Sequence, residues 1–330
     1  MLNIISDFIK GILPTKKKTT PSGWTSFNGV CCPHNGESAD TRGRGGLTAN
    51  PDGSVSYHCF NCNFKASYQP GRHLTFKFRK LLKWLGADDT DIKRLVIEAI
   101  RVRELVAPEE VKAEAEEEKI EFKARDLPDD AVNLVALDYV HPALEYCVSR
   151  KIDLDKYQFY ATRQEQYNLH KRILIPFIWQ GRTIGYTARA VEENVKPKYH
   201  SNYEPNFVFN INNQQADSKF VIVCEGPFDA MSIDGVAVLN NECNETQADI
   251  IESLGREVIV VADRDRAGAK MINNAIEYGW SVSFPVWLET CKDINEAVVK
   301  YGKLFVLKTI LDSKQSSKLK IELMKKRLYN

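Results

Sequence analysis

The sequence lacks several features that would assign it to a common class of protein. No apolar run approaches the roughly 20 residues that a membrane-spanning helix requires, so no such span is expected. The first ten residues include Asp7 and no small-residue cleavage site follows them, so a secretory signal is not expected and a cytoplasmic location is predicted. No Gly-x-x-x-x-Gly-Lys-[Ser/Thr] sequence occurs, which argues against a P-loop nucleotidase within these 330 residues.

The chain also has almost no net charge, but its charges are segregated. The formal charge is +1, from 45 Lys and Arg against 44 Asp and Glu. Residues 1–80 carry 11 basic and 4 acidic residues, residues 303–330 carry 8 and 2, and residues 104–130 carry 4 and 11. Basic ends and an acidic connector predict a polyanionic partner and a solvated linker. The length allows two hydrophobic cores, or three if a metal ion holds one of them.

Eight cysteines in a chain expected to be cytosolic indicate metal binding before disulfides. Cys31-Cys32-Pro33-His34 is followed, after 24 residues, by Cys59-Phe60-Asn61-Cys62. Two such pairs predict one tetrahedral structural Zn²⁺ in a small β zinc ribbon, whose folding depends on the metal. The predicted ligands are Cys31, His34, Cys59 and Cys62. Cys32 stays open as the first ligand, although a single residue between Cys32 and His34 would make a cramped chelate.

Two apolar runs in the carboxy-terminal half end on acidic residues. Phe220–Cys224 enters Glu225, and Val258–Ala262 is followed by Asp263-Arg264-Asp265. Such runs alternate with helical segments, which predicts a parallel α/β sheet whose strand ends gather functional groups in one crevice. Carboxylates held together favour a bound Mg²⁺. The alternative is that each acid caps the next helix, but two strands with acidic ends favour the metal site.

These residues resemble the TOPRIM domain, which bacterial and phage primases share with topoisomerases, recombination mediators of the RecR kind and some nucleases. The resemblance is carried by Glu225-Gly226-x-x-Asp229, by Asp263-x-Asp265-x-Ala267-Gly268, and by Lys292–Ala297, which is similar to the segment that closes the domain in bacterial primases. It implies that Glu225, Asp263 and Asp265 bind two catalytic Mg²⁺ or Mn²⁺ ions. Asp229 and Asp293 are second candidates.

The cysteine-rich segment resembles the zinc-binding domain of the same primases, whose ligands are Cys, His, Cys and Cys. Gly29-Val30-Cys31-x-x-His34-Asn35 and Tyr57-His58-Cys59-Phe60-x-Cys62 carry this resemblance. Arg42 and Arg44 lie between the two pairs, and Trp24, Tyr57 and Phe60 lie around them. Arginines and aromatic rings suit a surface for single-stranded template. Alternatively, Tyr57 and Phe60 pack the ribbon.

Residue patterns in the middle of the chain predict a connector followed by a basic subdomain. Apolar residues at helical spacing predict helices over residues 81–100, and Glu104–Arg125 is interpreted as a tether. Arg172–Phe177 and Thr183–Arg189 flank Gln180-Gly181 and predict a β-hairpin. With Lys196–Asn202, this hairpin resembles the basic subdomain of bacterial primases. The resemblance implies that Arg172, Arg189 and Lys198, with Lys171, contact template, RNA or triphosphate. The alternative is ordinary exposed charge.

The predicted fold class is a multi-domain α+β and α/β protein: a small β zinc ribbon, an acidic linker, a mixed α/β basic subdomain and an α/β TOPRIM sheet. The predicted domains are 1–75 (zinc ribbon), 76–130 (helical spacer and acidic linker), 131–215 (basic subdomain), 216–302 (TOPRIM) and 303–330 (basic tail helix).

The order of these parts is most similar to phage primases of the T-even class. The resemblance implies two-metal synthesis of short RNA primers from ribonucleoside triphosphates on single-stranded DNA, giving an RNA–DNA hybrid, in the host cytoplasm if a phage encodes the protein. A replicative helicase is expected to act in trans, and no membrane partner is expected. The alternatives are a non-catalytic DNA-binding mediator of the RecR kind and a TOPRIM nuclease.

Overall fold

The fold is taken from a computed structural model, which describes residues 3–105, 121–137, 139, 141–215, 217–264, 268–287 and 291–329. It divides into two compact units, one comprising Met1–Lys119 with Glu252–Gly255 and the other comprising Ile120–Ile251 with Arg256–Asn330. Most of the predicted tether, residues 106–120, lies outside the described residues. None of the described helices has the length and apolar character needed to cross a bilayer.

The first unit is built on a five-stranded antiparallel sheet in the order β1-β2-β3-β4-β5. Its strands are β1 (Lys18–Thr19), β2 (Thr25–Phe27), β3 (Gly45–Ala49), β4 (Val55–Cys59) and β5 (Lys65–Tyr68). In β4, Val55, Tyr57 and Cys59 are buried, while the intervening Ser56 and His58 face outward. This two-residue alternation turns one face of the sheet toward a core and the other toward solvent.

Three helices complete this unit: α1 (Ile4–Gly11), α2 (Phe76–Trp84) and α3 (Asp89–Leu105). The side chain of Thr75 caps α2 by accepting a hydrogen bond from the Phe78 N–H. Leu81 and Leu82 of α2 and Leu95 of α3 are fully buried in the same core as the ribbon residues Leu47 and Tyr57. The helices predicted as a spacer therefore enlarge the core of the ribbon.

The second unit contains an antiparallel sheet in the order β10-β9-β8-β7-β6. Its strands are β6 (Val132–Asn133), β7 (Tyr160–Ala161), β8 (Arg172–Trp179), β9 (Arg182–Ala190) and β10 (Tyr199–Tyr203). The predicted hairpin is confirmed as β8 and β9. Gln180 and Gly181 both have positive φ, 47° and 77°, which is the backbone of a two-residue turn that matches strand twist.

A mixed sheet in the order β12-β11-β13-β14-β15 forms the other half of this unit. Its strands are β11 (Phe220–Cys224), β12 (Val236–Ala237), β13 (Glu257–Val260), β14 (Ser281–Ser283) and β15 (Lys314–Gln315). The first four are parallel, as predicted, and β15 adds an antiparallel edge. The helices of this unit are α4 (Pro142–Ser149), α5 (Pro227–Ile233), α6 (Glu245–Glu252), α7 (Gly268–Tyr278), α8 (Ile294–Tyr301), α9 (Lys303–Asp312) and α10 (Lys318–Tyr329).

One hydrophobic core joins the two sheets of the second unit. Ile173, Ile175 and Phe177 from β8 pack in the same cluster as Ile222 of β11 and Ile259 of β13. Burial of such side chains contributes about 1.5–3 kcal/mol each, which resists separation of the two sheets. The shared core therefore holds the basic β8–β10 strands in a fixed position beside the acidic ends of β11 and β13.

Candidate functional site

Glu225 and Asp263 meet at one edge of the mixed sheet. Glu225 directly follows β11, and Asp263 lies a few residues after β13, which pairs with β11 in parallel. The backbone N–H of Asp263 donates a hydrogen bond of 3.2 Å to Oε1 of Glu225. The prediction that these two acids share a crevice is therefore supported by a direct contact. Asp265, the third predicted metal ligand, lies outside the described residues.

Asp229 and Asp293 lie beside this pair. Asp229 is in the first turn of α5, and its Oδ1 accepts a hydrogen bond of 2.9 Å from the backbone N–H of Asn295. Asp293 caps α8 by accepting from the N–H of Glu296 at 2.8 Å. Burial, together with the charges of Asp293 and Asp263, raises the pKa of Asp229 well above its usual range. The acids are thus close enough to oppose one another's ionisation.

Basic side chains face these acids across a cleft of about 250 Å³. Arg189 donates a hydrogen bond of 2.6 Å to the Tyr199 hydroxyl, and its guanidinium lies 4.8 Å from the centre of that ring. Burial and the neighbouring charge of Arg189 lower the pKa of Lys198. The cleft-lining residues that carry this argument are Arg150, Arg189, Lys198, Tyr199, Glu225, Asp229, Asp263, Asp293 and Asn295.

Arg150 is a cleft residue that the sequence analysis did not single out. It follows α4 directly, donates a hydrogen bond of 3.0 Å to Oδ1 of Asn295, and lies over the ring of Tyr146. Asn295 in turn donates to the backbone oxygen of Arg150 and to Oγ of Ser232. No local pattern marks Arg150, because its position depends on hydrogen bonds with Asn295 of α8, 145 residues away.

Two of the basic residues predicted to contact substrate lie elsewhere. Arg172 is only 1% exposed, and its guanidinium donates hydrogen bonds to the backbone oxygens of Tyr167, Ala188 and Lys198. Its predicted contact with substrate is therefore corrected to a role in holding the backbone. Lys171 is exposed but does not line the cleft. A strand pattern shows which residues are charged but not which face of the sheet each one occupies.

In the first unit, four thiols converge. The sulfur atoms of Cys31, Cys32, Cys59 and Cys62 all lie within 4.8 Å of one another, and the closest pairs are 3.4 and 3.5 Å apart. Four sulfurs around a Zn²⁺ with bonds of about 2.3 Å would lie about 3.8 Å apart, so the donor set fits a structural zinc site.

The pKa of the Cys59 thiol is lowered. Burial alone would raise it, but hydrogen bonds from the backbone N–H groups of Cys62 and Asn61 outweigh the effect of burial.

The predicted ligand His34 is not part of this group, and Cys32 takes its place. His34 is exposed, and its ring stacks on Trp84 with centroids 4.8 Å apart and planes 4° from parallel. Cys31 precedes a short 3₁₀ turn, Cys32–His34, which begins at Cys32 with Pro33 in its first turn. This tight turn buries both cysteines and directs His34 outward, so the predicted Cys₃His set is corrected to four cysteines.

The predicted template surface divides into structural and exposed parts. Asp40 is buried and accepts hydrogen bonds from the backbone N–H groups of Arg42 and Arg44 and from Nε of Arg44. The Arg44 side chain therefore supports the loop, whereas that of Arg42 is exposed. Phe60 is 64% exposed and lies edge-on to Trp24 at 6.0 Å, while Tyr57 packs the core. Tyr57 thus packs the ribbon, as the alternative expected, whereas contact of Phe60 with template stays a prediction.

Among the described residues, the four cysteines are the one group of His, Cys, Asp or Glu side chains close enough to hold a metal ion. With Asp265 outside those residues, the catalytic metal set remains a prediction. Acidic and basic side chains nevertheless line the same cleft.

Comparison with known proteins identifies one part of the chain. Residues 222–298 match the family described as Toprim-like. This segment is similar to Toprim-like domains. It contains Glu225, Asp229, Asp263 and Asp293, so the acidic side of the cleft belongs to it, and the predicted resemblance is confirmed.

Similar proteins include primases. The DNA primase of Aquifex aeolicus (strain VF5) is 26% identical over 152 residues, which cover 40% of this chain and 30% of that protein. The solved zinc-binding and RNA polymerase domains of the A. aeolicus primase are 18% identical with a TM-score of 0.46, over 94% of this chain and 83% of theirs. The RNA polymerase domain of the Mycobacterium tuberculosis primase DnaG is 17% identical with a TM-score of 0.46, over 56% of this chain and 79% of its own.

Proposed function

We propose that this protein is a DNA primase, which synthesises short RNA primers on single-stranded DNA. The observation that carries the proposal is the cleft, where the acids of a Toprim-like domain face Arg150, Arg189 and Lys198. Joining ribonucleotides requires such a combination, because both substrates are polyanions and the reaction develops further negative charge. The similarity to a DNA primase over 152 residues supports this choice among the activities that Toprim-like domains carry.

In the proposed reaction, a 3′-hydroxyl attacks the α-phosphate of a ribonucleoside triphosphate and pyrophosphate leaves. Two Mg²⁺ or Mn²⁺ ions would lower the pKa of the attacking hydroxyl and neutralise the leaving oxygen. Glu225, Asp263 and Asp265 would hold these ions. Asp229 and Asp293 line the same cleft next to this set.

The basic side of the cleft would bind the triphosphate and the nucleic-acid backbone. Arg150 and Arg189 are held by neighbouring side chains, Arg150 through Asn295 and Arg189 through Tyr199. A guanidinium fixed in this way loses little conformational entropy when it binds a phosphate oxygen. Lys198 is more exposed and supplies a point charge at the edge of the cleft.

The zinc ribbon would bind the template. One structural Zn²⁺ would be held by Cys31, Cys32, Cys59 and Cys62. It would fix the two turns that carry these cysteine pairs. The exposed Phe60, with Trp24 against it, offers a stacking surface, and the exposed Arg42 side chain offers a phosphate contact. The partners implied are single-stranded DNA, ribonucleoside triphosphates, the RNA–DNA hybrid product and a replicative helicase in trans.

The test is incubation with labelled ribonucleoside triphosphates, Mg²⁺ and single-stranded DNA of random sequence. A primase produces short oligoribonucleotides whose synthesis stops when EDTA is added. Nicking of the DNA would replace the proposal with a TOPRIM nuclease, and binding without any product would replace it with a mediator of the RecR kind. Sequencing the products would also give the template preference and primer length.

A further inference from the structure

A stacked aromatic pair lies on the surface of the β6–β10 sheet, outside the cleft. The rings of Tyr167 and His200 are 4.3 Å apart between centroids and 17° from parallel, and Tyr167 is 59% exposed. Tyr167 and Asn168 both have left-handed backbones, with φ of 55° and 54°. Two consecutive residues of this kind are unfavourable and persist only where the surroundings hold them.

The buried Arg172 holds the pair in place. Its Nε donates a hydrogen bond of 3.1 Å to the backbone oxygen of Tyr167, and its Nη1 donates to the backbone oxygens of Ala188 and Lys198. Burial, with the charge of Arg172, lowers the pKa of His200, so the imidazole is neutral at pH 7. Arg172 thus fixes the backbone that carries the exposed Tyr167 ring, and His200 stacks on the ring itself. The Tyr167 side chain therefore loses little conformational entropy when a ligand binds.

The position of β10 connects this pair to the cleft. β10 is an edge strand, and its residues alternate between the two faces of the sheet. Tyr199 and Ser201 line the cleft, whereas His200, between them, lies on the other face against Tyr167. A nucleic-acid strand that leaves the cleft around this edge reaches the aromatic pair directly.

The chemistry of the adjoining segment suits nucleic acid. Residues 163–171 expose Arg163 and Lys171 against one acid, Glu165. Proteins that bind single strands combine such basic side chains with exposed rings on which unpaired bases stack.

We propose that Tyr167, stacked on His200, is a platform for an unpaired base of single-stranded DNA that extends from the cleft around the edge strand β10. The inference deepens the proposed function and rests on it for the direction of the strand. Arg172 is a positioning residue of this platform, because its hydrogen bond to Tyr167 goes to the backbone oxygen and not to the ring. Stacking tolerates any base, so the site contributes affinity rather than sequence preference.

Binding of fluorescein-labelled oligothymidylate, followed by anisotropy, tests the platform. Tyr167→Ala should weaken binding about tenfold, within roughly 5- to 150-fold, which is the effect of losing one stacked base. Tyr167→Phe should retain binding. The matched control is Tyr139→Ala, because Tyr139 is also 59% exposed beside a histidine, but its ring is tilted by 46° from that of His141. Circular dichroism should show the same fold in all variants.

A photocrosslink on the unaltered protein gives a second measurement that needs no variant. Oligonucleotides carrying 5-iodouracil should crosslink to Tyr167, as mapped by mass spectrometry. Equal affinity of Tyr167→Ala and wild type, or crosslinks only at other residues, would overturn the platform even if primers are made. Tyr167-dependent binding of oligouridylate but not of oligothymidylate would overturn the assignment to DNA. Tyr167-dependent DNA binding without primer synthesis would refute only the primase proposal.

Discussion

The backbone N–H of Asp263 donates a hydrogen bond to Oε1 of Glu225, although the two residues are 38 positions apart. The bond joins the ends of β11 and β13, the central pair of parallel strands in the mixed sheet. It fixes the Glu225 carboxylate beside Asp263 while leaving the Asp263 carboxylate out of this interaction. The backbone after one strand thus orients the acidic side chain that follows its neighbour.

Neutralising either acid should abolish primer synthesis without unfolding the protein. Glu225→Gln keeps an oxygen that can accept from the Asp263 N–H, and Asp263→Asn leaves that backbone donor intact. Each change removes one negative charge, so we expect synthesis to fall on the order of 100-fold or more while zinc content and melting temperature stay the same. Glu257→Gln, in a surface pair with Lys314, is the control. Full activity in both cleft variants would refute the assignment.

Substitutions at the thiol cluster should separate four-cysteine from Cys₃His binding. Cys32→Ser should lose most of the bound zinc and unfold the first unit, because a buried thiol of the cluster is removed. His34→Ala should keep one zinc per chain and lose only the stacking on Trp84, about 0.5–1.5 kcal/mol. Elemental analysis and circular dichroism measure both effects. The opposite result, with zinc lost only in His34→Ala, would restore the original ligand prediction.

Gly268 should be required next to the site. A Cβ at this position would lie 2.2 Å from the backbone oxygen of Asp263, which is closer than any real contact. Gly268→Ala should therefore displace Asp263, lower the free energy of unfolding by about 1–3 kcal/mol and reduce primer synthesis. Gly11→Ala is the control, because nothing lies within 4 Å of its Cβ. If Gly268→Ala equals wild type both in chemical denaturation and in the primer assay, the steric argument is wrong.

Asp234 should give a pH-dependent contribution to stability. Partial burial opposes its ionisation, but hydrogen bonds from Lys156 and Lys303 outweigh this and lower its pKa. A lowered pKa stabilises the fold above the ordinary value of about 3.9, and this stabilisation is lost as pH falls through the folded-state pKa. The side chain is 37% exposed, so solvent screening limits the effect to at most about 1 kcal/mol.

Asp234→Asn is the variant that measures this, because asparagine tolerates the left-handed backbone at φ 55°. Its free energy of unfolding should be lower than that of wild type at pH 7, and the difference should shrink as pH falls below about 4 and disappear once pH is below the folded-state pKa of Asp234. Asp217→Asn, an exposed acid on the surface of the same unit, should show no difference at either pH. A difference that persists at low pH would show that the amide acts through packing instead.

Arg172 and Arg189 should respond differently to the same substitution. Arg189→Lys should raise the KM for ribonucleoside triphosphates with little change in melting temperature, because Arg189 lines the cleft. Arg172→Lys should lower stability by about 1–3 kcal/mol, because one ammonium group on a different stem cannot serve the same three carbonyl groups. Steady-state kinetics and thermal denaturation distinguish the two. A KM effect in Arg172→Lys larger than in Arg189→Lys would contradict the burial of Arg172.

Local pattern predicted the hairpin, the parallel strands and the contact between Glu225 and Asp263 at their ends. Val/Ile-rich runs ending at Glu225 and before Asp263 predicted parallel strands and their shared edge, because strand direction fixes where the ends meet. Gln180-Gly181 predicted the hairpin, because two positive φ values suit few other dipeptides. The antiparallel strand β15 carried no such signal, since two residues give no periodicity.

The sequence by itself determined which side chains were available: the cysteine pairs, the acids after two strands and the basic residues of the hairpin. Only the tertiary structure decided which of them meet. A tight turn buried Cys32 and turned His34 outward, and a hydrogen bond to Asn295 of α8 held Arg150 at the cleft. Strand alternation placed Arg172 beneath the sheet face that carries Tyr167. These outcomes depend on contacts between residues far apart in the chain, which local spacing does not specify.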